Sequence, residues 1–368
     1  MKAVVCKEHG LPDKLDLVSD WPEPTVGEHD VLIDVKAAGL KAVPTGIAHG
    51  TVTVVGQDLV AEVTTLRRDV QSFGRHAQVA FTDDWREDAA RRDFTVNALY
   101  AHLPDGVIDD YWGGLDDLSA RRVRFIGDPL QRIAEDHLRI LRFFRFSARF
   151  AGQIDADGLA ACTARANDLM ALSRERIAME LLAILALPNP KSAIGLMIDN
   201  GIFVPVLPEI ADAAPLGRLL EREKALASEP DALRRLAALL PADPALAEDV
   251  GNRLRLSNAQ RKQLITLASR SVDDSTNPKA LAYRLGVEAA MDRLLLGTGD
   301  AAAILGWTPP RFPLTGGSIV ARGIQAGPEV ARVLQAAERQ WIEEGFPDAT
   351  RQRALAVEMV DASLPKKA

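Results

Sequence analysis

The 368-residue chain is poor in cysteine, aromatics and late histidine. Its two cysteines, Cys6 and Cys162, lie far apart with no Cys-x-x-Cys spacing, which excludes a disulfide scaffold and a cysteine-rich zinc site. Six histidines (9, 29, 49, 76, 102 and 137) all fall in the first part of the chain, so nothing beyond His137 can use histidine chemistry. No apolar run approaches the roughly 18 residues of a membrane span, and the opening MKAVVCKEHG lacks the apolar core of a secretory signal. A cytoplasmic protein without membrane partners is expected. Aromatics are only 5% while Ala and Leu crowd the second half, favouring a helical body over a sandwich or barrel.

The net charge of −7 argues against a chain that coats nucleic acid indiscriminately, yet it hides a local field. Between 121 and 150 eight arginines (121, 122, 124, 132, 139, 142, 145, 149) face only Asp128, Glu135 and Asp136. A basic island in an acidic protein suits a phosphate-bearing partner.

Strand signals dominate the first part: KAVVCKE, then VLIDVKA beyond the loop WPEPTVGEHD, then GTVTVVGQDLVAEVTTLR with a hairpin about Gly56-Gln57-Asp58. From about Asp128 the period becomes helical. Leu138, Leu141, Phe144 and Ala148 form one apolar stripe and Ile177, Leu181 and Leu185 another. Breakers at PNPKS, EPDA, PADPA and TPPRFP divide the remainder into helices of roughly 10 to 16 residues.

Two stretches carry chemistry. In Arg91-Arg92-Asp93-Phe94-Thr95-Val96-Asn97, paired guanidiniums precede Asp, Thr and Asn placed to cap a helix, an anion-facing corner suited to a triphosphate. In Glu135-Asp136-His137-Leu138-Arg139, continuing through Arg142 and Arg145, charged residues recur every third position. On one continuous helix each would stand about 60° from the last. An Asp beside an Arg offers an acceptor and a donor fork for a nucleobase edge. Taken singly, each stretch also reads as an ion-paired helix with no ligand.

These stretches stand in a fixed order with others. PTGIAHGTVTVV (44–55), EVTTLRRD (62–69), GRHAQVAF (74–81), RRDFTVNALY (91–100), IDDYWGGLDDLSARRVRFIGDP (108–129), EDHLRILRFFRF (135–146) and SRERIAMEL (173–181) together resemble the CCA tRNA nucleotidyltransferase and bacterial poly(A) polymerase family. The resemblance implies template-free addition of CTP and ATP to a tRNA 3′ end with Mg²⁺. It also implies an α+β, polymerase-beta-like nucleotidyltransferase head (41–129), truncated here, then an all-α neck (130–190) and a helical body and tail (191–368). By matching position Arg92 binds nucleotide, Asp136 and Arg139 read its base, and Arg142 and Arg145 help hold it, with Arg91, Asp93, Asn97 and Glu135 in support. Nucleotidyl transfer needs metals, positioning and cations on the leaving pyrophosphate, and arginines supply the last.

The family's Gly-Gly-x-Val-Arg-Asp turn and Asp-x-Asp strand are missing: ahead of residue 41 no two glycines adjoin, and Asp13, Asp16, Asp20, Asp30 and Asp34 never fall two apart. Asp155-Ala-Asp157 has the spacing but lies too late, and reads as a loop or helix cap. Glu62 is the one acid near enough to approach the metals, against the plainer reading of a solvent-facing side chain. Residues 1–40 instead resemble the GroES-like opening of zinc-independent quinone oxidoreductases, as if fused on. No Gly-x-Gly-x-x-Gly follows, so no NAD(P)H is expected. The alternatives are a catalytically inactive nucleotide- and RNA-binding remnant and a poly(A) polymerase, the latter disfavoured by the lack of a long basic tail.

Overall fold

The computed structural model describes residues 3–6, 15–18, 41–46, 51–57, 60–73, 76–102 and 105–363. These divide into two compact units, 1–116 and 117–368. No helix among them is long and apolar enough to cross a membrane.

Among the described residues the strands all fall in the first unit, each paired antiparallel with a near neighbour in sequence. Ala3–Cys6 pairs with Leu15–Val18, and Arg67–Phe73 with His76–Phe81. Thr51–Val55 is flanked by Lys41–Gly46 and Val60–Thr64, giving the order 41–46, 51–55, 60–64. The expected hairpin is present: Val55 faces Val60, Val54 faces Ala61 and Val52 faces Val63. Val54 is the residue of this ladder that is buried, whereas Val60 and Val63 are exposed. The expected strand VLIDVKA lies outside the described residues, as does most of the segment likened to an oxidoreductase.

A short helix, Trp85–Ala90, follows the strands. It starts there because Asp84 caps it, its carboxylate accepting the N–H groups of Arg86 and Glu87. Leu99–Ala101 and Ile108–Asp110 then form a small ladder. Asp110 ends it and accepts backbone N–H groups from Trp112, Gly114 and Leu115, which starts the helix Gly114–Ser119. Gly114 fits because its α-carbon passes so near residue 95 that a Cβ would stand 2.4 Å from the Thr95 carbonyl oxygen.

The second unit is helical from Pro129, where Asp128 caps Pro129–Glu135 and proline occupies the first turn. The longer helix Arg139–Phe150 buries Ile140, Leu141, Phe143 and Phe144 and turns its arginines away from them. Phe143 stacks on Phe125 with centroids 5.5 Å apart. Asp155 caps Ala156–Ala164, as read, and Gly158 lets that helix close on the Phe143 ring, 2.7 Å from where a Cβ would stand. Ile177, Leu181 and Leu185 are buried along Arg174–Leu185, as their spacing predicts.

Every predicted breaker separates two helices, though several helices are shorter than expected, down to five residues at Gly316–Val320. Capping by Asp231, Asp243, Ser257 and Asn277 sets starts that apolar periodicity alone leaves open. Deep in the unit, Arg234 and Arg235 share the buried Glu223, Arg234 also reaches Asp292, and Arg235 donates to the carbonyls of Leu185 and Leu187. That network ties the end of helix Arg174–Leu185 to the helices Ala214–Ala225 and Ala232–Leu239.

Candidate nucleotide site

In the first unit the candidate residues gather round a carboxylate that sequence reasoning passed over. Asp88, on Trp85–Ala90, is 1% exposed and receives Arg91 Nε at 2.9 Å on Oδ1 and Arg92 Nη2 at 3.0 Å on Oδ2. Tyr100 Oη also donates to Oδ2, at 2.7 Å, and the Arg67 backbone N–H to Oδ1, at 3.0 Å. Burial works to raise the Asp88 pKa, but these donors and the Arg91 charge outweigh it and hold the carboxyl below its usual 3.8. Burial likewise works to lower the Arg92 pKa, and Asp88 reverses it. Tyr100 is driven well above 10, first by burial and then by Asp88. The corner therefore presents two guanidiniums anchored on one buried carboxylate. A helical signal was available, since Asp88 stands three and four residues before the two arginines.

Asp93 and Asn97 do not cap an α-helix as expected. Residues Thr95–Asn97 make a single 3₁₀ turn whose cap position, Phe94, uses no side chain, and Asp93 Oδ1 instead accepts the Phe94 N–H and Asn97 Nδ2, both at 3.0 Å. With Phe94 buried, the chain bends here instead of starting a longer helix. Asp93 and Asn97 thus brace the bend that follows the arginines.

In the second unit, the stripe expected on one helix is split. Asp136 sits in extended backbone (φ −148°, ψ 105°) as the C-cap of Pro129–Glu135, and the next helix starts only at Arg139. Asp136 Oδ1 accepts the Leu138 N–H at 3.1 Å, which fixes the carboxylate at the break. Its guanidinium partner is Arg176, forty residues on, whose Nη2 stands 3.1 Å from Oδ1 and 2.9 Å from Oδ2. Arg139 Nη1 donates to Glu135 Oε2 at 2.7 Å and to the Arg132 carbonyl at 2.8 Å. Glu135 thus orients Arg139, and also pairs with Arg132.

Arg145 Nε donates to Glu180 Oε2 at 2.6 Å, Arg142 lies 3.9 Å from Glu180 Oε1, and both guanidiniums stand over the Phe146 ring. Arg176 and Glu180, one turn apart on Arg174–Leu185, therefore hold three of the candidate side chains. Both lie within the matched block SRERIAMEL, but nothing local marks them, because their partners are 35 to 40 residues away.

Glu62 is exposed on Val60–Thr64, across the ladder from Thr53. Among the described residues no three His, Cys, Asp or Glu side chains gather to hold a metal ion. The described residues do not fit a metal centre.

Two family models match: the Poly A polymerase head domain over residues 15–124, starting inside the segment likened to an oxidoreductase, and the probable RNA and SrmB-binding site of polymerase A over 153–214. The chain is 34% identical to the mitochondrial CCA tRNA nucleotidyltransferase 1 of Mus musculus, over 84% of this chain and 75% of that protein. It is 30% identical to the CCA-adding enzyme of Limosilactobacillus fermentum, over 84% and 81%. In fold it is similar to the crystal structure of the Bacillus stearothermophilus CCA-adding enzyme in complex with CTP, with a TM-score of 0.62, 23% identity, and 86% and 83% of the two chains covered.

Proposed function

The chain belongs to the CCA tRNA nucleotidyltransferase family, and from that membership we propose that it adds CTP- and ATP-derived nucleotides to the 3′ end of tRNA. The observation that carries this reading is the 34% identity extending across 84% of the chain, head and helical parts together. Its partners are tRNA, CTP and ATP, and its compartment, taken as the cytoplasm, belongs to the same proposal. So do the divisions into head (41–129), neck (130–190), and body with tail (191–368).

Within that reading each charged group has a task its chemistry suits. Arg92, with Arg91, supplies cations for phosphate oxygens, and Asp88 keeps them pointed without neutralising both. Asp136 and Arg139 read the base. Cytosine and adenine each present an exocyclic amine beside a ring nitrogen acceptor, whereas uracil and guanine present a carbonyl beside an N–H. A carboxylate next to a guanidinium accepts from the first pair and opposes the second. Among the described residues Asp136 Oδ2 takes one bond, from Arg176, and keeps a lone pair for such an amine. Arg142 and Arg145 help hold the nucleotide, while Glu135, Asp93 and Asn97 position the others. Mg²⁺ is the divalent ion implied by membership.

The test is incorporation of labelled CTP and ATP, with Mg²⁺, into tRNA lacking its CCA end. Addition of three nucleotides supports the reading, and a long adenylate tract would reassign the chain to poly(A) synthesis. A second reading, binding without addition, is favoured by the lack of an Asp-x-Asp ahead of the first matched block. It predicts salt-sensitive CTP and ATP binding, no incorporation, and recovery when 1–40 is replaced by the corresponding segment of an intact relative.

A further inference from the structure

Several arginines of the helical body meet carboxylates. Arg234 and Arg235 meet Glu223, Arg253 meets Glu209, and Arg293 meets Asp274, so these charges are balanced by carboxylates. Among the described residues Arg222 and Arg270 are not. Arg222 Nη2 donates to the carbonyls of Leu294 and Gly299, and its buried Nε–H has no acceptor among the described residues. Arg270 donates to the carbonyls of Leu240 and Leu267. Both line one cavity of about 610 Å³, and Arg218, exposed and without a hydrogen bond or ion pair among the described residues, stands at its edge.

The cavity lies against helix Ala214–Ala225 and is walled by apolar side chains, among them Leu219, Leu239 and Leu295. An apolar wall makes an uncompensated charge costly, and burial pulls the Arg270 pKa below its usual value with no carboxylate to restore it. Two acids share the lining. Glu209 is committed to Arg253, at 2.6 Å, and Asp212 Oδ1 accepts the Ala214 N–H at 2.8 Å. Three guanidiniums against one acid without a cationic partner leave the cavity with a net positive charge. Its volume far exceeds what one phosphate group needs, so an anion can enter with the moiety that carries it.

We propose that this cavity, through Arg218, Arg222 and Arg270, is a phosphate-binding site of the helical body, separate from the residues assigned to the nucleotide. A phosphate presents several acceptor oxygens, matching donors that now have only carbonyl partners or none. The phosphate can belong to the backbone of bound RNA or to a free compound such as pyrophosphate.

The experiment compares the full-length chain with Arg218→Gln and Arg270→Gln. Arg218 is exposed, so Arg218→Gln is expected to leave the melting temperature unchanged and decides the matter even if Arg270→Gln is destabilised. One arm measures binding of tRNA lacking its CCA end across a potassium chloride series. The other counts inorganic pyrophosphate bound per chain by equilibrium dialysis. If RNA is the source, Arg218→Gln weakens tRNA roughly fivefold and lowers the salt slope by about one, with pyrophosphate unaffected. If a free phosphate compound is the source, the variant binds one pyrophosphate fewer and tRNA affinity holds. Unchanged tRNA affinity, slope and pyrophosphate count overturn the proposal. Because both arms read binding, failure of nucleotide addition leaves their outcome intact.

Discussion

Replacing Asp88 with Asn tests whether one buried carboxylate organises the arginine corner. The substitution keeps the shape and an acceptor for the Arg67 N–H, but removes the charge that Arg91, Arg92 and Tyr100 converge on. Arg91 is 19% exposed and its bond to a buried charge is worth about 1.5 to 3 kcal/mol, whereas Arg92 at 37% is screened and adds under about 1 kcal/mol. The expected loss is therefore about 3 kcal/mol, enough to open the segment around residues 85–102. Amide exchange over residues 85–102 should accelerate about 100-fold, while the helices beyond 170 keep their protection.

The pH dependence follows from the same group. Its folded pKa lies below 3.8, so its contribution is fully present above the unfolded value of about 3.9 and is lost as pH falls through the folded one. Protection of this segment should hold from pH 7 to about 4 and then fall, and Asp88→Asn should flatten that fall. Exchange accelerated less than fivefold in the variant, with the acid fall unchanged, would refute the account.

Three further outcomes are expected. Arg176→Ala should weaken discrimination of CTP and ATP against GTP and UTP by roughly tenfold with little change in melting temperature, because Asp136 loses the guanidinium that holds it from across the helices; equal selectivity in a four-nucleotide binding series would count against it. Gly114→Ala should destabilise the head by about 2 kcal/mol or more, since its new methyl meets a backbone carbonyl that cannot rotate away, and chemical denaturation followed by head-specific exchange reads this directly. His102, hydrogen-bonded to Asp109 at 2.5 Å, has a raised pKa, so the pair's contribution is present below about pH 6.5 and disappears as pH rises through the folded value; an NMR titration giving the free-imidazole midpoint would remove that basis.

Features set by neighbours a few residues apart were legible in the sequence. Asp155 before Ala156 starts a helix because its side-chain oxygen reaches a free N–H group of the very next turn, and the change to a helical period near Asp128 marks the helix that begins at Pro129. The 51–55 and 60–64 hairpin and the buried stripe at Ile177, Leu181 and Leu185 follow from local alternation and period in the same way. The seven ordered blocks likewise carried the family and the list of candidate residues.

The partners of those residues were not legible, and the reason is distance along the chain. Asp136 meets Arg176 and Arg145 meets Glu180 only once the helices Arg139–Phe150 and Arg174–Leu185 have packed, and a three-residue period cannot show that the helix breaks between Asp136 and Arg139. The cavity among Arg218, Arg222 and Arg270 has the same origin. Sequence alone determined which charges this protein possesses; packing of apolar faces decided which of them meet a carboxylate and which are left facing a cavity.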